Sequence, residues 1–415
     1  MQVLIRQARI CDQRSKFHNR VVDIFIEDGI IKDIAASLKV KAKQTIEAKG
    51  MYVSTGWVDL FADYREPGYE HKETIASGLK AAAAGGFTHV FTVPNTQPAV
   101  STKSVVEFIL QKAKNNVVSL HPLGSITQNI EGKSLAEMLD MHTHGAIAFT
   151  DGWKTVDNPQ LMLKALEYVK AFDGTLIQIP LNSELAAGGL MNEGPVSVQL
   201  GMPGVPALAE TIQLYRDIEL LRYTGSKLHV TSVSTAEGVN MIRKAKKEGL
   251  QITCSVTPYH LVLTDNDLKG YSSLYKVSPV LRSEADRKAL LKGIADGTID
   301  CITSHHRPQE WDAKEKEFEY AADGMNIQEI AYQVALQAVG VERLAEMLTA
   351  ARAIFGLPAT NIEKGATADL TIFATDGVTM ADKMQSASRN NPFIGQELTG
   401  RVIGIINNDH IHLNK

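Results

Sequence analysis

The chain runs to 415 residues, 44% of them hydrophobic and 22% charged, with a formal net charge of −4. That composition suits a globular protein with one large domain and a smaller one, and it excludes a disordered or fibrous chain. A slightly acidic balance with no long basic run argues against nucleic acid or an anionic membrane as the main partner. No run of about 18 apolar residues offers a membrane span.

The opening stretch Met1–Arg9 lacks the apolar core and small-residue cleavage site of a signal peptide. Cys11, Cys254 and Cys301 lie far apart with no Cys-x-x-Cys spacing, so a reduced, cytoplasmic protein is expected. Residues 1–52 hold short alternating or apolar runs, Gln2–Ile10 and Val21–Ile26, punctuated by Glu27-Asp28-Gly29, which read as hairpins of a small β domain.

From Met51 the pattern becomes apolar strand, loop, amphipathic helix, repeated. Eight strands are expected at 51–63, 89–95, 117–127, 145–152, 174–181, 227–234, 250–259 and 300–307. Helical segments fall between them at Lys72–Ala84, Ser101–Lys114, Asn158–Ala171, Ala207–Tyr223, Thr235–Glu248 and Ser283–Asp296. In Ala207–Tyr223, Leu208, Ile212, Tyr215 and Ile218 recur at helical spacing, which predicts that this face is buried. Eight βα units in sequence suggest a (β/α)8 barrel, with a doubly wound open sheet as the rival; in either, chemistry belongs at the carboxyl ends of the strands. No internal repeat or low-complexity tract interrupts the pattern.

The stretch Gly56–Gly68 reads as a buried strand running into a Glu66-Pro67-Gly68 turn, with Asp59, Phe61 and Asp63 on one face because alternate side chains point the same way. With Ala81–Gly86 and Val93-Pro94-Asn95-Thr96-Gln97-Pro98 downstream, it resembles the first two strands of a dihydroorotase of the amidohydrolase superfamily. That family reads Asp-x-His-x-His-x-Arg-Glu-Pro-Gly, then Ala-Gly-Gly-Phe-Thr and Pro-Asn-Thr-x-Pro. The resemblance covers essentially the whole chain, including Gly188–Gly194, Gly365–Phe373 and Asn391–Gly395. It implies a metal-dependent hydrolase barrel at 53–359 and a small discontinuous β-sandwich built from 1–52 and 360–415.

The family binds one or two zinc ions with histidines and aspartates at the strand ends, and zinc requires imidazole, carboxylate or thiolate ligands. Carried over position by position, the two strand-one histidines are Phe61 and Asp63, the strand-five histidine is Ile179, the strand-six histidine is Ser232, and the strand-eight aspartate, the family's general base, is Ser304. Asp151 survives after strand four. Asp63, Asp151 and His305 are the candidates for a metal site outside the family pattern. Arg65 and Asn95 match the family's carboxylate-binding pair, an arginine fork suiting a carboxylate, while the third contact, an asparagine, is Ser278. For Arg65, pairing with Asp63 or Asp151 stands as the alternative to anion binding. His305 is second in line to neutralise those carboxylates, and Phe61 and Ile179 are expected to fill the vacated space.

The resemblance therefore implies a dihydroorotase-like protein of pyrimidine synthesis that has lost its catalytic set, with no cofactor expected where the family carries zinc. In some members of the family a chain lacking these histidines assembles with aspartate transcarbamoylase, which is the partner implied; a homo-oligomer is also open. Two alternatives stand beside this reading: an active cyclic amide hydrolase with an altered site at Asp63, Asp151 and His305, and a carboxylate-binding protein using Arg65 and Asn95.

Overall fold

The computed structural model describes residues 1–414. The chain begins with β1 (Gln2–Ile10), β2 (Val21–Glu27), β3 (Ile30–Ala35), β4 (Gln44–Glu47) and β5 (Tyr52–Thr55). In the antiparallel β1–β2 pair Val3 lies opposite Ile26 and Ile5 opposite Ile24, so the buried residues of the two strands stack on one face.

The barrel strands are β6 (Trp57–Ala62), β7 (Phe87–Thr92), β8 (Ser119–Pro122) and β9 (Leu176–Gln178), then, after a separate parallel pair β10 (Met191–Asn192) and β11 (Gly204–Val205), β12 (Leu228–Val230), β13 (Ile252–Val256) and β14 (Cys301–Ile302). They pair in parallel as β6-β7-β8 and as β9-β12-β13-β14. Three single bridges join the arcs into a ring: Gly124 to Phe149, Phe149 to Leu176, and Ala62 to His306. That closure separates the barrel from an open doubly wound sheet. The strand expected at 145–152 is reduced to one bridging residue, Phe149, which pairs with Gly124 on one side and Leu176 on the other.

Four barrel helices begin where a hydroxyl or amide caps them. Thr74 accepts from the Ser77 N–H, Asn158 precedes Pro159 and accepts from Gln160, Thr235 accepts from Gly238, and Ser283 accepts from Asp286. The helix Leu208–Thr224 corrects the sequence reading. Leu208, Ile212 and Tyr215 are exposed and only Ile218 of that set is buried. The inward face carries Glu210, Gln213 and Asp217 beside Leu214 and Leu221. Polar residues can face inward here because each is bonded: Glu210 accepts from Ser234 and Thr235, and Asp217 from Arg216 and Gln213.

The chain returns to the first sheet with β15 (Leu370–Met380), β16 (Glu397–Asn407) and β17 (His410–Leu413), giving the order β17-β16-β15-β5-β1-β2-β3 with β4 beside β1. At the barrel floor, where this sheet meets the barrel, Trp57 packs against Phe87, Tyr332 and Phe373. Beside it Asp369 Oδ2 accepts from His89 Nε2 at 2.9 Å and Arg352 Nη2 at 2.6 Å.

Candidate functional site

The carboxyl ends of the barrel strands form a mouth in which backbone direction is set by residues in the left-handed region. Arg65, Ser232 and His305 have φ of +62°, +59° and +49°. Non-glycine residues in that region each store on the order of 1–3 kcal/mol and persist only where surrounding contacts hold them. Here those contacts are extensive.

Phe61 is fully buried, stacked on the His305 ring at 4.6 Å and edge-on to Trp153 at 5.1 Å. Ile179 belongs to the same apolar cluster, with Leu123, Ile177 and Cys301. Trp153 seals the top of this stack, and its Nε1 donates to Asp63 Oδ2 at 2.7 Å. Asp63 also pairs with Arg65 Nη1 at 3.1 Å. Arg65 spends its remaining donors Nε and Nη2 on the Pro308 carbonyl, each at 3.2 Å. The arginine that matches the family's carboxylate ligand is thus committed to a carboxylate of the chain itself. Asn95 is committed too: Nδ2 donates to the Asp151 carbonyl at 3.1 Å and Oδ1 accepts from the Trp153 N–H. Gly152 permits this approach, since a Cβ at that position would overlap the Asn95 amide.

Asp151 faces a different set of partners. Its carboxylate accepts from the Ile126 and Thr127 N–H groups at 2.9 Å and from Thr127 Oγ1 at 2.5 Å. Burial pushes its pKa up, against the pull of these hydrogen bonds. Ser304, at the family's general-base position, donates Oγ–H to Asp59 Oδ2 at 2.5 Å and its N–H to Asp59 Oδ1 at 2.8 Å. Thr303 and Gln328 add two further donors to Asp59. Four hydrogen bonds satisfy this buried carboxylate without a metal or an ion pair. Ser232 Oγ is buried without a partner.

His305 corrects the expected neutralisation of the aspartates. Its Nε2 meets Thr231 Oγ1 at 2.8 Å, its Nδ1 is buried without a partner, and burial drives its pKa well below the ordinary histidine value. The contact to Thr231 continues a buried chain: Thr231 to Ser255, Ser255 to His229, His229 to Thr253. His306 points the other way, toward Tyr64 and Glu73. Asp63, Asp151 and His305 are therefore not brought together. Among the described residues no three His, Cys, Asp or Glu side chains converge to hold a metal ion. The donor set does not fit zinc: a phenyl ring, an isoleucine and two hydroxyls stand where the resemblance expects ligands, and both aspartates are bonded elsewhere.

Sequence reasoning missed Trp153 and Arg307. Arg307 stacks its guanidinium over the Trp153 ring at 4.5 Å. The signal for Trp153 was legible: it is one of three tryptophans in the chain and directly follows Asp151-Gly152 at a strand end.

The Dihydro-orotase-like family model matches residues 50–238. A dihydroorotase of Syntrophus aciditrophicus (strain SB) is 40% identical over 414 residues, covering 97% of each chain. The chain belongs to the dihydroorotase family. A further dihydroorotase, from Acetivibrio thermocellus, is 37% identical and spans 99% of this chain and 98% of its own. Among solved structures, an L-hydantoinase (dihydropyrimidinase) from Arthrobacter aurescens has a TM-score of 0.85 at 22% identity, covering 100% of this chain and 96% of that one. This establishes the amidohydrolase fold, a barrel with a terminal β domain. Within the dihydroorotase family, the mouth described above is what this chain's own residues build.

Proposed function

We propose that this protein is a dihydroorotase-family barrel without the family's hydrolytic chemistry, serving pyrimidine biosynthesis as a structural partner of aspartate transcarbamoylase. One observation carries the reading: the space at the strand ends is packed, with Phe61 fully buried between His305 and Trp153. The family reaction, reversible closure and hydrolysis of a cyclic amide, draws its hydroxide from metal-bound water, whose pKa falls from about 15.7 to about 7. That difference is on the order of 10 kcal/mol of proton chemistry. Nothing at this mouth supplies a substitute. Ser304 is a hydroxyl that donates to Asp59. His305 stacks against Phe61, and its Nε2 is taken up by Thr231.

The assembly half of the proposal rests on the rest of the molecule. Helix caps, strand pairing and the interdomain charge network are consistent at every level, the pattern expected of a scaffold still in use. Of the possible partners, the transcarbamoylase is the one the family suggests. Such an interface would bury roughly 1,000 Å² or more.

Purified protein should show no turnover of dihydroorotate or carbamoyl-aspartate above a metal-free control, and co-expression with the same organism's aspartate transcarbamoylase should yield one co-eluting complex. Turnover at ordinary enzyme rates, near ~10 per second, would overturn the first half and favour an active hydrolase. Separate elution at micromolar concentration would overturn the second.

A further inference from the structure

The helix Leu208–Thr224 is built inside out. Its buried face carries Glu210, Gln213 and Asp217 among the apolar residues, while Leu208, Ile212, Tyr215 and Tyr223 stand in solvent, 53%, 42%, 63% and 78% exposed. Their spacing keeps all four on one stripe along the helix. Glu219 completes the stripe between the two tyrosines. It is bonded to Arg222, which also pairs with Glu248, so the charges of this face are answered within the chain.

The helices on either side behave in the ordinary way. Pro159–Lys170 and Ala236–Lys247 pack against this helix. They turn Lys164, Glu167 and Lys170, and Glu237, Lys244 and Lys247, outward, where their neighbour turns out leucine, isoleucine and tyrosine. A single exposed apolar side chain needs no explanation, but a contiguous stripe does. Apolar residues and tyrosine between two charged flanks are the anatomy of a protein interface, a dry centre inside a polar rim.

The stripe also matches itself. Turned end for end about the point between Tyr215 and Arg216, Leu208 comes opposite Tyr223, Ile212 comes opposite the methylenes of Glu219, and the two Tyr215 rings meet beside the axis. A two-fold interface demands such self-complementarity. A face without surplus charge neither repels its own copy nor selects a strongly acidic or basic partner. At about 200 Å² for a fully exposed large side chain, the four residues offer on the order of 500 Å² per chain. Two copies then bury roughly 1,000 Å², the lower bound for a specific interface.

We propose that two copies of this chain associate through antiparallel pairing of the helix Leu208–Thr224, with Tyr215 at the two-fold axis. The contact is small, so the dimer is weak and the folded monomer does not depend on it. The pairing is independent of the barrel mouth and of the transcarbamoylase.

Sedimentation velocity of the full-length protein from about 1 to 200 µM should show a monomer–dimer equilibrium with a Kd of about 10–100 µM. Tyr215→Glu sets two like charges against each other at the axis and should weaken association about tenfold or more. Tyr320→Glu, at a residue 68% exposed on a different loop, should leave the Kd unchanged. Urea unfolding at about 1 µM, where little dimer is present, should give parent and variants the same midpoint, so that a lost dimer is not a lost fold. All three native cysteines are buried, so oxidation of Tyr215→Cys should yield a disulfide-linked dimer and oxidation of Tyr320→Cys should not. A monomer throughout the concentration range overturns the proposal, as does a dimer that Tyr215→Glu leaves intact. Where Tyr215→Glu does not fold, failure of Tyr215→Cys to cross-link overturns it. A monomer that enters a complex only with co-expressed aspartate transcarbamoylase, and leaves it in Tyr215→Glu, overturns it in favour of that occupant.

Discussion

At the barrel floor, Asp369 ties the terminal sheet to the barrel through His89 and Arg352, at 2.9 and 2.6 Å. At the mouth, Asp63 is tied to Arg65 and Trp153, at 3.1 and 2.7 Å. Both carboxylates are buried and both are charged-paired, yet the partners differ in kind. The floor joins the barrel residues His89 and Arg352 to Asp369 at the edge of the terminal sheet, so its network ties sheet to barrel. The mouth joins the first barrel strand's end to Trp153 and, through Arg65, to the Pro308 carbonyl. Phe61 and Ile179 pack the mouth with apolar volume, and Asp63 pairs with the Arg65 guanidinium there.

If the mouth is core, cutting into it should cost about as much as cutting the floor. Asp369→Ala, which strands Arg352, is expected to destabilise by about 3–5 kcal/mol, and Phe61→Ala by about 3–5 kcal/mol, both measured by urea unfolding. A loss for Phe61→Ala below about 1 kcal/mol would show an open chamber rather than a packed one, and the comparison would break there.

A smaller effect is expected from pH. Burial lowers His229 from 6.5 to about 3 and His260 to about 4, so both stay neutral in the folded protein while the unfolded chain takes up a proton near 6.5. The unfolded state then binds more protons, and stability falls as pH drops from 6.5 toward 4. Each such histidine contributes about 1.4 kcal/mol per pH unit once the unfolded form is fully protonated. His229→Gln should flatten the stability–pH slope between about pH 4 and 6 by that amount. An unchanged slope would mean that His229 titrates alike in both states.

The helix Leu208–Thr224 supplies the smallest expected change and marks where the sequence misled. Leu208 is 53% exposed, so Leu208→Asp should alter stability by no more than about 0.5 kcal/mol. Ile218→Asp, on the buried face, should unfold the protein or nearly so. The spacing of Leu208, Ile212 and Tyr215 was a true helical stripe assigned to the wrong side, because Glu210 and Asp217 are drawn inward by hydroxyls, amides and Arg216 that no periodicity reveals. The other helices were legible because their apolar faces and capping residues agree. Strand positions were legible for the same reason, save the one at 145–152, where a single bridging residue leaves no alternation to read. At the site, Phe61 and Ile179 were expected to fill the mouth with apolar volume, and both are buried there. The rest of the mouth was not legible: Trp153 and Arg307 reach the mouth through loop geometry, and neither Asp151 nor His305 takes the partner its charge suggested.

The central claim is that the strand ends no longer form a hydrolytic metal site. The most direct measurement is elemental analysis of protein purified without a histidine tag and dialysed against excess zinc, with dihydroorotate turnover assayed on the same sample. The account predicts zinc well below one ion per chain and no turnover above the metal-free control. Stoichiometric zinc that is lost in an Asp63→Asn or Asp151→Asn variant, together with turnover, would contradict it.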